Sequence, residues 1–109
     1  MTKLIFASLL ILLTLSISPY QIHAETPFDV YMDDFYSKSN EASKILKEIE
    51  TTLKEGSRKN VCSRQREAAR LGLLANKSLI KAFEVGGIEP PMEAIKSSQK
   101  RWESILNEC

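Results

Sequence analysis

The sequence predicts an all-α protein, a small three-helix up-down-up bundle that follows a cleaved signal peptide and contains one disulfide. Three observations predict this fold class. An apolar run follows a single lysine at the start of the chain, three later stretches space their apolar residues by three and four, and the chain contains two cysteines. Such spacing puts side chains on one face of a helix, and no later stretch alternates as a strand would.

The start of the chain has the order of a secretory signal peptide. Lys3 is followed by an apolar run from about Leu4 to Ile17, then by a helix-breaking proline and a polar stretch that closes on Ala24. A basic start, an apolar middle and a small residue before the cut define such signals. The run of about 14 apolar residues is shorter than the roughly 20 that span a bilayer. We therefore expect residues 1–24 to be cleaved and the protein to be periplasmic or extracellular; an uncleaved membrane anchor is the alternative.

Cleavage leaves a single helical domain, residues 25–109. Of the 15 lysines and arginines, only Lys3 is lost, so 14 basic residues face 14 acidic ones. A dedicated nucleic-acid binder needs an excess of positive charge, and we expect no nucleic-acid partner. The charges are unevenly distributed, with four acids and no base in residues 25–36 but eight bases and two acids in residues 54–81.

The first helix is predicted at residues 27–55. Thr26 can cap its first turn, Pro27 suits the first helical position, and Gly56 can take the left-handed conformation that ends a helix. Steps of three and four define its apolar stripe. The stripe consists of Phe28, Met32, Phe35, Ser39, Ala42, Leu46, Ile49 and Leu53.

The second helix is predicted at residues 59–85, with Ser57 or Asn60 as its cap. Gly72 lies in its middle, where glycine costs about 1 kcal/mol relative to alanine. We interpret this glycine as a point of close approach by a neighbouring backbone. Asn76 opens an N-glycosylation sequon, which we interpret as chance because it lies in mid-helix.

The third helix is predicted at residues 91–108, with Pro91 in its first turn after the loop sequence GGIEPP. Three amphipathic helices joined by short connections predict an up-down-up bundle in which each helix packs against the other two. This path places the end of the first helix, the start of the second and the end of the third at one pole.

The two cysteines predict an intramolecular disulfide. The predicted path brings Cys62 and Cys109 to the same pole, and such a pair in a small exported domain forms a disulfide. Closing a loop of about 48 residues stabilises a fold by roughly 4 kcal/mol in the chain-entropy model. We interpret the bond as holding the end of the third helix in place; an intermolecular bridge is the alternative.

The residues that catalysis and metal binding use most often are missing from the predicted exported chain. The single histidine, His23, lies in the predicted signal peptide, which removes the commonest general base and metal ligand. Asp33 and Asp34 diverge by about 100° on a helix and do not face one target. We therefore expect no enzymatic activity, no cofactor and no metal. An enzyme without histidine would need buried carboxylates that converge in a deep pocket.

A basic cluster surrounds the start of the second helix. It consists of Arg58, Lys59, Arg64, Arg66 and Arg70. One interpretation is a neutral network, because the predicted path brings several carboxylates to the same pole. These are Glu50, Glu55, Glu103, Glu108 and the terminal carboxylate. The other interpretation is an anion-binding surface for a lipid headgroup, an acidic glycan or an acidic protein.

An aromatic-acidic end, defined by Tyr31, Asp33, Asp34 and Tyr36, lies in the first turns of the first helix. Both tyrosines fall off the apolar stripe, and tyrosine offers contact area with a polar group at its tip. The stripe residues beside them are expected to pack on Phe83, Ile88 and Met92. This end is predicted either to bind a partner or to act only as a lid over the loop between the second and third helices.

These observations predict a small exported helical protein that binds another macromolecule, with a protein as the expected partner. The alternative is a membrane-surface or anionic-lipid binding protein that makes a peripheral contact through the basic cluster, Arg58 to Arg70. The sequence leaves a monomer and a homodimer equally open. No motif in it identifies the partner or the physiological role.

Overall fold

The structure, a computed structural model, describes residues 25–109, and the predicted signal peptide lies outside the described residues. The chain forms three α-helices, α1 (Pro27–Lys54), α2 (Val61–Val85) and α3 (Met92–Asn107). No strand is present between residues 25 and 109. The predicted all-α class with three helices in a bundle is therefore confirmed.

α1 begins with a reciprocal cap. The Asp29 amide donates to Thr26 Oγ1 at 3.2 Å, and the Thr26 amide donates to Asp29 Oδ2 at 3.2 Å. Pro27 occupies the first helical position, where its missing N–H leaves no bond unmade. Thr26, Pro27 and Asp29 therefore define where α1 starts.

α1 and α2 end in the same way, with a glycine of positive φ just beyond the helix. Gly56 has φ of 83° and Gly87 has φ of 67°. The amides that follow reach back into the last turn, from Ser57 to the Thr52 carbonyl at 3.1 Å and from Ile88 to the Phe83 carbonyl at 3.0 Å. Glycine takes this left-handed conformation without a steric penalty, so both helices stop sharply.

α2 begins two residues later than predicted, because neither expected cap works. Asn60 is itself left-handed, with φ of 62°, and its side chain accepts no capping hydrogen bond. The hydroxyl of Ser57 accepts from the Lys59 amide at 3.3 Å instead. α3 also starts late, since Pro91 precedes the helix as its N-cap rather than opening it.

The helices pack as two pairs that share α2. Phe28 of α1 meets Phe83 of α2 edge to face, with ring centroids 6.2 Å apart, and Asn76 of α2 donates to Ser98 Oγ of α3 at 3.2 Å. Within residues 25–109, no Cα of α1 lies within 8 Å of a Cα of α3. Only α2 packs against both other helices, so the expectation that every helix does so is wrong.

The buried core consists mainly of small side chains. It contains Ala42, Ile45, Ala68, Ala69, Ala75, Ala82 and Ile95. Ile45 is 1% exposed although it is absent from the predicted stripe, whereas Leu53 of that stripe is 44% exposed. The other stripe residues of α1 are buried or partly buried, so the predicted inner face is confirmed; Ile45 widens it, and the exposed Leu53 lies near its end.

Gly72 does mark a close approach, but the neighbour is a side chain rather than a backbone. A Cβ added at Gly72 would lie less than 3.0 Å from three atoms of the Trp102 indole. The ring therefore occupies the space that a side chain at position 72 would need.

The predicted disulfide between Cys62 and Cys109 is present, and their Cα atoms lie 5.6 Å apart. That separation is typical of disulfides. The bond joins the first turn of α2 to the residues that follow α3. The interpretation that it holds the end of the last helix agrees with this position.

Candidate functional site

The basic cluster is partly neutralised at the disulfide end of the molecule. Arg64 forms ion pairs with Glu48 of α1 and with Glu67, the latter at 3.2 Å. Arg66 Nη2 donates to the Cys109 carbonyl oxygen at 3.3 Å. These two arginines therefore hold the ends of the helices together.

Of the carboxylates expected to neutralise the cluster, Cys109 does accept from Arg66, but three others have different partners. Glu50 pairs with Lys54 at 3.2 Å within α1. Glu103 accepts from Gln99 at 3.1 Å, and Glu108 accepts from Gln65 at 3.4 Å. Glu48, which the sequence argument did not consider, takes their place because it lies on the side of α1 that meets α2.

The other three members of the cluster remain open to solvent. Arg58, Lys59 and Arg70 are exposed and form no ion pair with any residue between 25 and 109. Positive charge at the start of a helix adds to the positive end of the helix dipole. Arg58 and Lys59, beside the start of α2, are thus exposed positive charges without an ion-pair partner among residues 25–109.

A cleft of about 480 Å³ opens beside the disulfide. Arg58 and Arg66 line it together with Leu53 and the first turn of α2. Its volume lies in the range of small-ligand sites. Its charged and apolar lining matches a ligand with an anionic group and an apolar part.

The aromatic-acidic end presents two of its four predicted residues to solvent. Tyr36 is 56% exposed, with its ring centroid 5.3 Å from that of Phe35, and Asp33 is also exposed. Tyr31 is only partly exposed. The surface available for binding is therefore narrower than the sequence indicated.

Asp34 lies in the contact between α1 and α2. Its carboxylate accepts from Lys38 Nζ and from the Ser78 hydroxyl. The hydrogen bond from Lys38, followed by that from Ser78, lowers the pKa of Asp34 below its ordinary value. Asp34 thus has an evident role in joining the two helices.

Negative charge is concentrated around the start of α1. The charge of Asp33 and a hydrogen bond to it raise the pKa of the Glu25 carboxyl, and Asp29 makes a smaller contribution. This shift arises because the carboxylates are close enough to repel one another. No lysine or arginine lies between residues 25 and 36 to offset them.

Exposed apolar side chains gather near the same end. Seven large ones are exposed between residues 25 and 109, and five of them lie in the first three turns of α1, in the connection from α2 to α3 or at the helix ends that flank it. These five are Val30, Tyr36, Val85, Ile88 and Met92. Phe28 contacts Phe83 as expected and also approaches Gly86, which brings the two regions together. Ile88 and Met92, expected to be covered by this end, are 53% and 39% exposed.

A second cleft, of about 190 Å³, lies between α1 and α3. Phe35 and Ser39 border it on one side, Ala94 and Trp102 on the other, and Leu79 of α2 also lines it. Sequence reasoning missed this cleft, because it exists only where α1 and α3 fail to meet.

Between residues 25 and 109, no three histidine, cysteine, aspartate or glutamate side chains are grouped so that they could hold a metal. In the same range, no helix is long and apolar enough to cross a membrane. Set against protein-family models, curated proteins and solved structures, the chain matches none of them. Its function is therefore argued from these surfaces alone.

Proposed function

We propose that this chain is a small exported helical protein, folded as an up-down-up bundle, that acts by binding another protein without catalysis. The observation that carries the proposal is that exposed apolar side chains coincide with Glu25, Asp29 and Asp33, which form no ion pair within residues 25–109, near the aromatic-acidic end. Isolated exposed apolar residues are ordinary, but a group of them beside a polar rim is typical of an interaction site. The partner surface that fits is apolar at its centre and basic at its edge.

Within this surface, Tyr36 and Asp33 are the proposed contact residues. Tyr36 combines a large ring with a hydroxyl that can stay hydrogen-bonded after burial. Asp33 supplies charge at the edge, where it favours encounter with a basic partner and disfavours an acidic one. Asp34 has its hydrogen-bonding capacity satisfied within the fold, so we assign it to packing.

Two features support the export part of the proposal. The first 24 residues have the order of a signal peptide, and disulfides such as Cys62–Cys109 persist in oxidising compartments. The up-down-up path is supported by the order of contacts, since Phe28 meets Phe83 whereas Glu48 meets Arg64. Residue numbers thus rise along α1 while they fall along α2.

The export proposal is tested by intact mass. The full chain is expressed, recovered from the periplasm or medium, and weighed with a thiol-alkylating reagent before and after reduction. We expect the mass of residues 25–109 less two hydrogens, with labelling only after reduction. A full-length mass with two labelled thiols would contradict export.

The binding proposal is tested by partner capture that depends on the proposed surface. The same tagged chain is compared with a Tyr36→Ala, Asp33→Lys double variant and with Leu74→Ala, which alters an exposed leucine on α2. We expect the double variant to lose the captured protein and Leu74→Ala to keep it. If the double variant still captured the same protein, the contact would lie elsewhere on the chain.

The cleft at the disulfide end favours a second candidate function, binding to anionic lipid. Arg58 and Arg66 line it beside the exposed Leu53. Vesicles with and without anionic lipid are the probe, at low and physiological salt. Binding that needs anionic lipid, weakens with salt and is lost in Arg58→Glu but kept in Arg101→Glu would support this function. Equal binding to neutral vesicles would reject it.

A further inference from the structure

The open side of the bundle is a groove between α1 and α3, with α2 at its base and both apolar and polar side chains in its lining. Both flanking helices pack on α2, but no Cα of one lies within 8 Å of a Cα of the other in residues 25–109. The cleft in this groove holds about 190 Å³ and is lined by Phe35, Leu79 and Trp102 among others. A cavity of this order accommodates about one ring-sized group, as an engineered cavity of roughly 150 Å³ accommodates benzene.

The chain itself has an exposed apolar side chain in line with this cleft. Leu53 is 44% exposed near the end of α1, and it follows Phe35 by 18 residues, which is about five full turns of an α-helix. The two residues therefore lie on one line along α1. Phe35 borders the cleft in one half of the molecule, whereas Leu53 lies at the disulfide end.

Exposed acids without an ion-pair partner in residues 25–109 lie at the start of α1, and exposed bases without one lie beside the start of α2. Glu25, Asp29 and Asp33 are exposed at the start of α1, and Arg58 and Lys59 are exposed beside the start of α2. An antiparallel arrangement of two copies brings each acidic end beside the other copy's basic end. The same arrangement moves each Leu53 toward the other copy's cleft.

We propose that two copies of this chain associate through their grooves as an antiparallel, two-fold symmetric dimer. Each copy inserts Leu53 into the cleft of the other, and the aromatic-acidic end of each pairs with the exposed bases of the other. Two-fold contacts use the same surface on both copies and close at two, whereas head-to-tail contacts between opposite ends continue into a chain. Charge complementarity and one apolar anchor per copy both favour the closed pair.

This inference goes beyond the proposed function and does not depend on it. It concerns the purified chain alone and is tested by its molar mass in solution, whereas the proposed function is tested by the capture of another protein. The dimer would cover Asp33, so a basic partner protein would compete with the second copy for that end.

The first test compares two exposed leucines in the protein produced from the full chain. Leu53→Glu places a charge at the proposed anchor, and Leu74→Glu makes the same change at a helical position of 45% exposure that lines neither cleft. Molar mass is measured by sedimentation equilibrium over a concentration series, and circular dichroism checks that each variant is folded. We expect a dimer for the wild type and Leu74→Glu, and at least a tenfold higher dissociation constant for Leu53→Glu.

The second test exchanges the charges. A Glu25→Lys, Asp33→Lys variant and an Arg58→Glu, Lys59→Glu variant should each be monomeric, because like charges then meet at both ends of the pair. Mixed in equal amounts they should form a heterodimer, since every end again faces its opposite. Raising salt should weaken the wild-type dimer by screening the same charges.

Three results would overturn the inference. The wild type could remain monomeric at every concentration and at low salt. Leu74→Glu could dissociate the dimer while Leu53→Glu leaves it intact. The mixed charge variants could fail to associate, or could assemble beyond two copies, which would indicate head-to-tail contact.

Discussion

Replacing Gly72 by alanine should destabilise the protein, although glycine-to-alanine changes inside helices usually stabilise. Alanine gains about 1 kcal/mol of helix propensity over glycine in a helix interior. At this position, however, the new Cβ would lie less than 3.0 Å from three atoms of the Trp102 indole, two of which form the bond shared by its rings. Rotation about a side-chain bond cannot clear such an overlap, so the whole ring must move.

The magnitude follows from these two opposing effects. Inserting a carbon into a packed site costs about 1–3 kcal/mol, and the central position of the overlap puts Gly72→Ala at the upper end. Subtracting the propensity gain of about 1 kcal/mol leaves a net loss of about 2 kcal/mol. For a domain of this size the melting temperature should fall by about 8–16 °C.

A double-mutant cycle with Trp102→Ala makes the reasoning refutable. Without the indole there is nothing for the Cβ to overlap, so Gly72→Ala should now stabilise by about 1 kcal/mol. The sign therefore reverses between backgrounds, with a coupling energy of about 3 kcal/mol, in the range for residues in contact. Urea unfolding followed by circular dichroism measures all four proteins. Stabilisation by Gly72→Ala in both backgrounds would show that the contact between the glycine and the indole does not control packing here.

Three further predictions concern the disulfide, a carboxylate and an amide. Cys109→Ser should lower the free energy of unfolding by roughly 4 kcal/mol. The Cys62→Ser, Cys109→Ser double variant should melt at the same temperature as this single variant. If both variants melted at the wild-type temperature, the disulfide would have no stabilising role. Since hydrogen bonds lower the pKa of Asp34, its contribution, at most about 1 kcal/mol, is present above about pH 4 and lost as pH falls through the folded pKa. Asp34→Asn should therefore melt at a lower temperature than the wild type at pH 7 and at the same temperature at pH 2. An equal difference in melting temperature at both pH values would count against this pH dependence. Asn76 is 7% exposed and donates to Ser98, so secretion from a eukaryotic host should yield no mass increase from N-glycosylation.

The separation of charge between the two ends links the proposed activities. Glu25, Asp29 and Asp33 are exposed at the start of α1 and Arg58 and Lys59 are exposed beside the start of α2, so these two groups favour partners of opposite sign. All of these contacts involve solvated charges and should weaken with salt. Binding that is insensitive to salt would therefore point to the apolar side chains as the main source of affinity.

The helix boundaries were largely predictable because they depend on hydrogen bonds between near neighbours. The Thr26 cap, the proline that follows it and the left-handed Gly56 all act within a few residues of one another. Asn60 shows the limit of this reasoning, since its side chain has a capping residue's chemistry but its backbone is left-handed. Backbone conformation there is set by how the chain enters α2.

The binding surfaces were less predictable because they depend on how the helices are rotated against one another. Ile45 rather than Leu53 is buried, and Glu48 rather than Glu50 meets Arg64. A small rotation of α1 exchanges such residues between interface and solvent without changing the periodic pattern. Many weak contacts with α2 set that rotation, so it cannot be predicted from any single residue of the sequence.

By itself the sequence determined three helices, where they end and which cysteines pair, because these depend on local hydrogen bonds and on there being a single pair of thiols. Only the tertiary structure decided that α2 packs against both other helices while α1 and α3 stay apart. The physical reason lies in contacts between residues distant in the chain. Gly72 leaves room for Trp102 on α2, alanines bring α1 close to the same helix, and the groove is the space that remains between them.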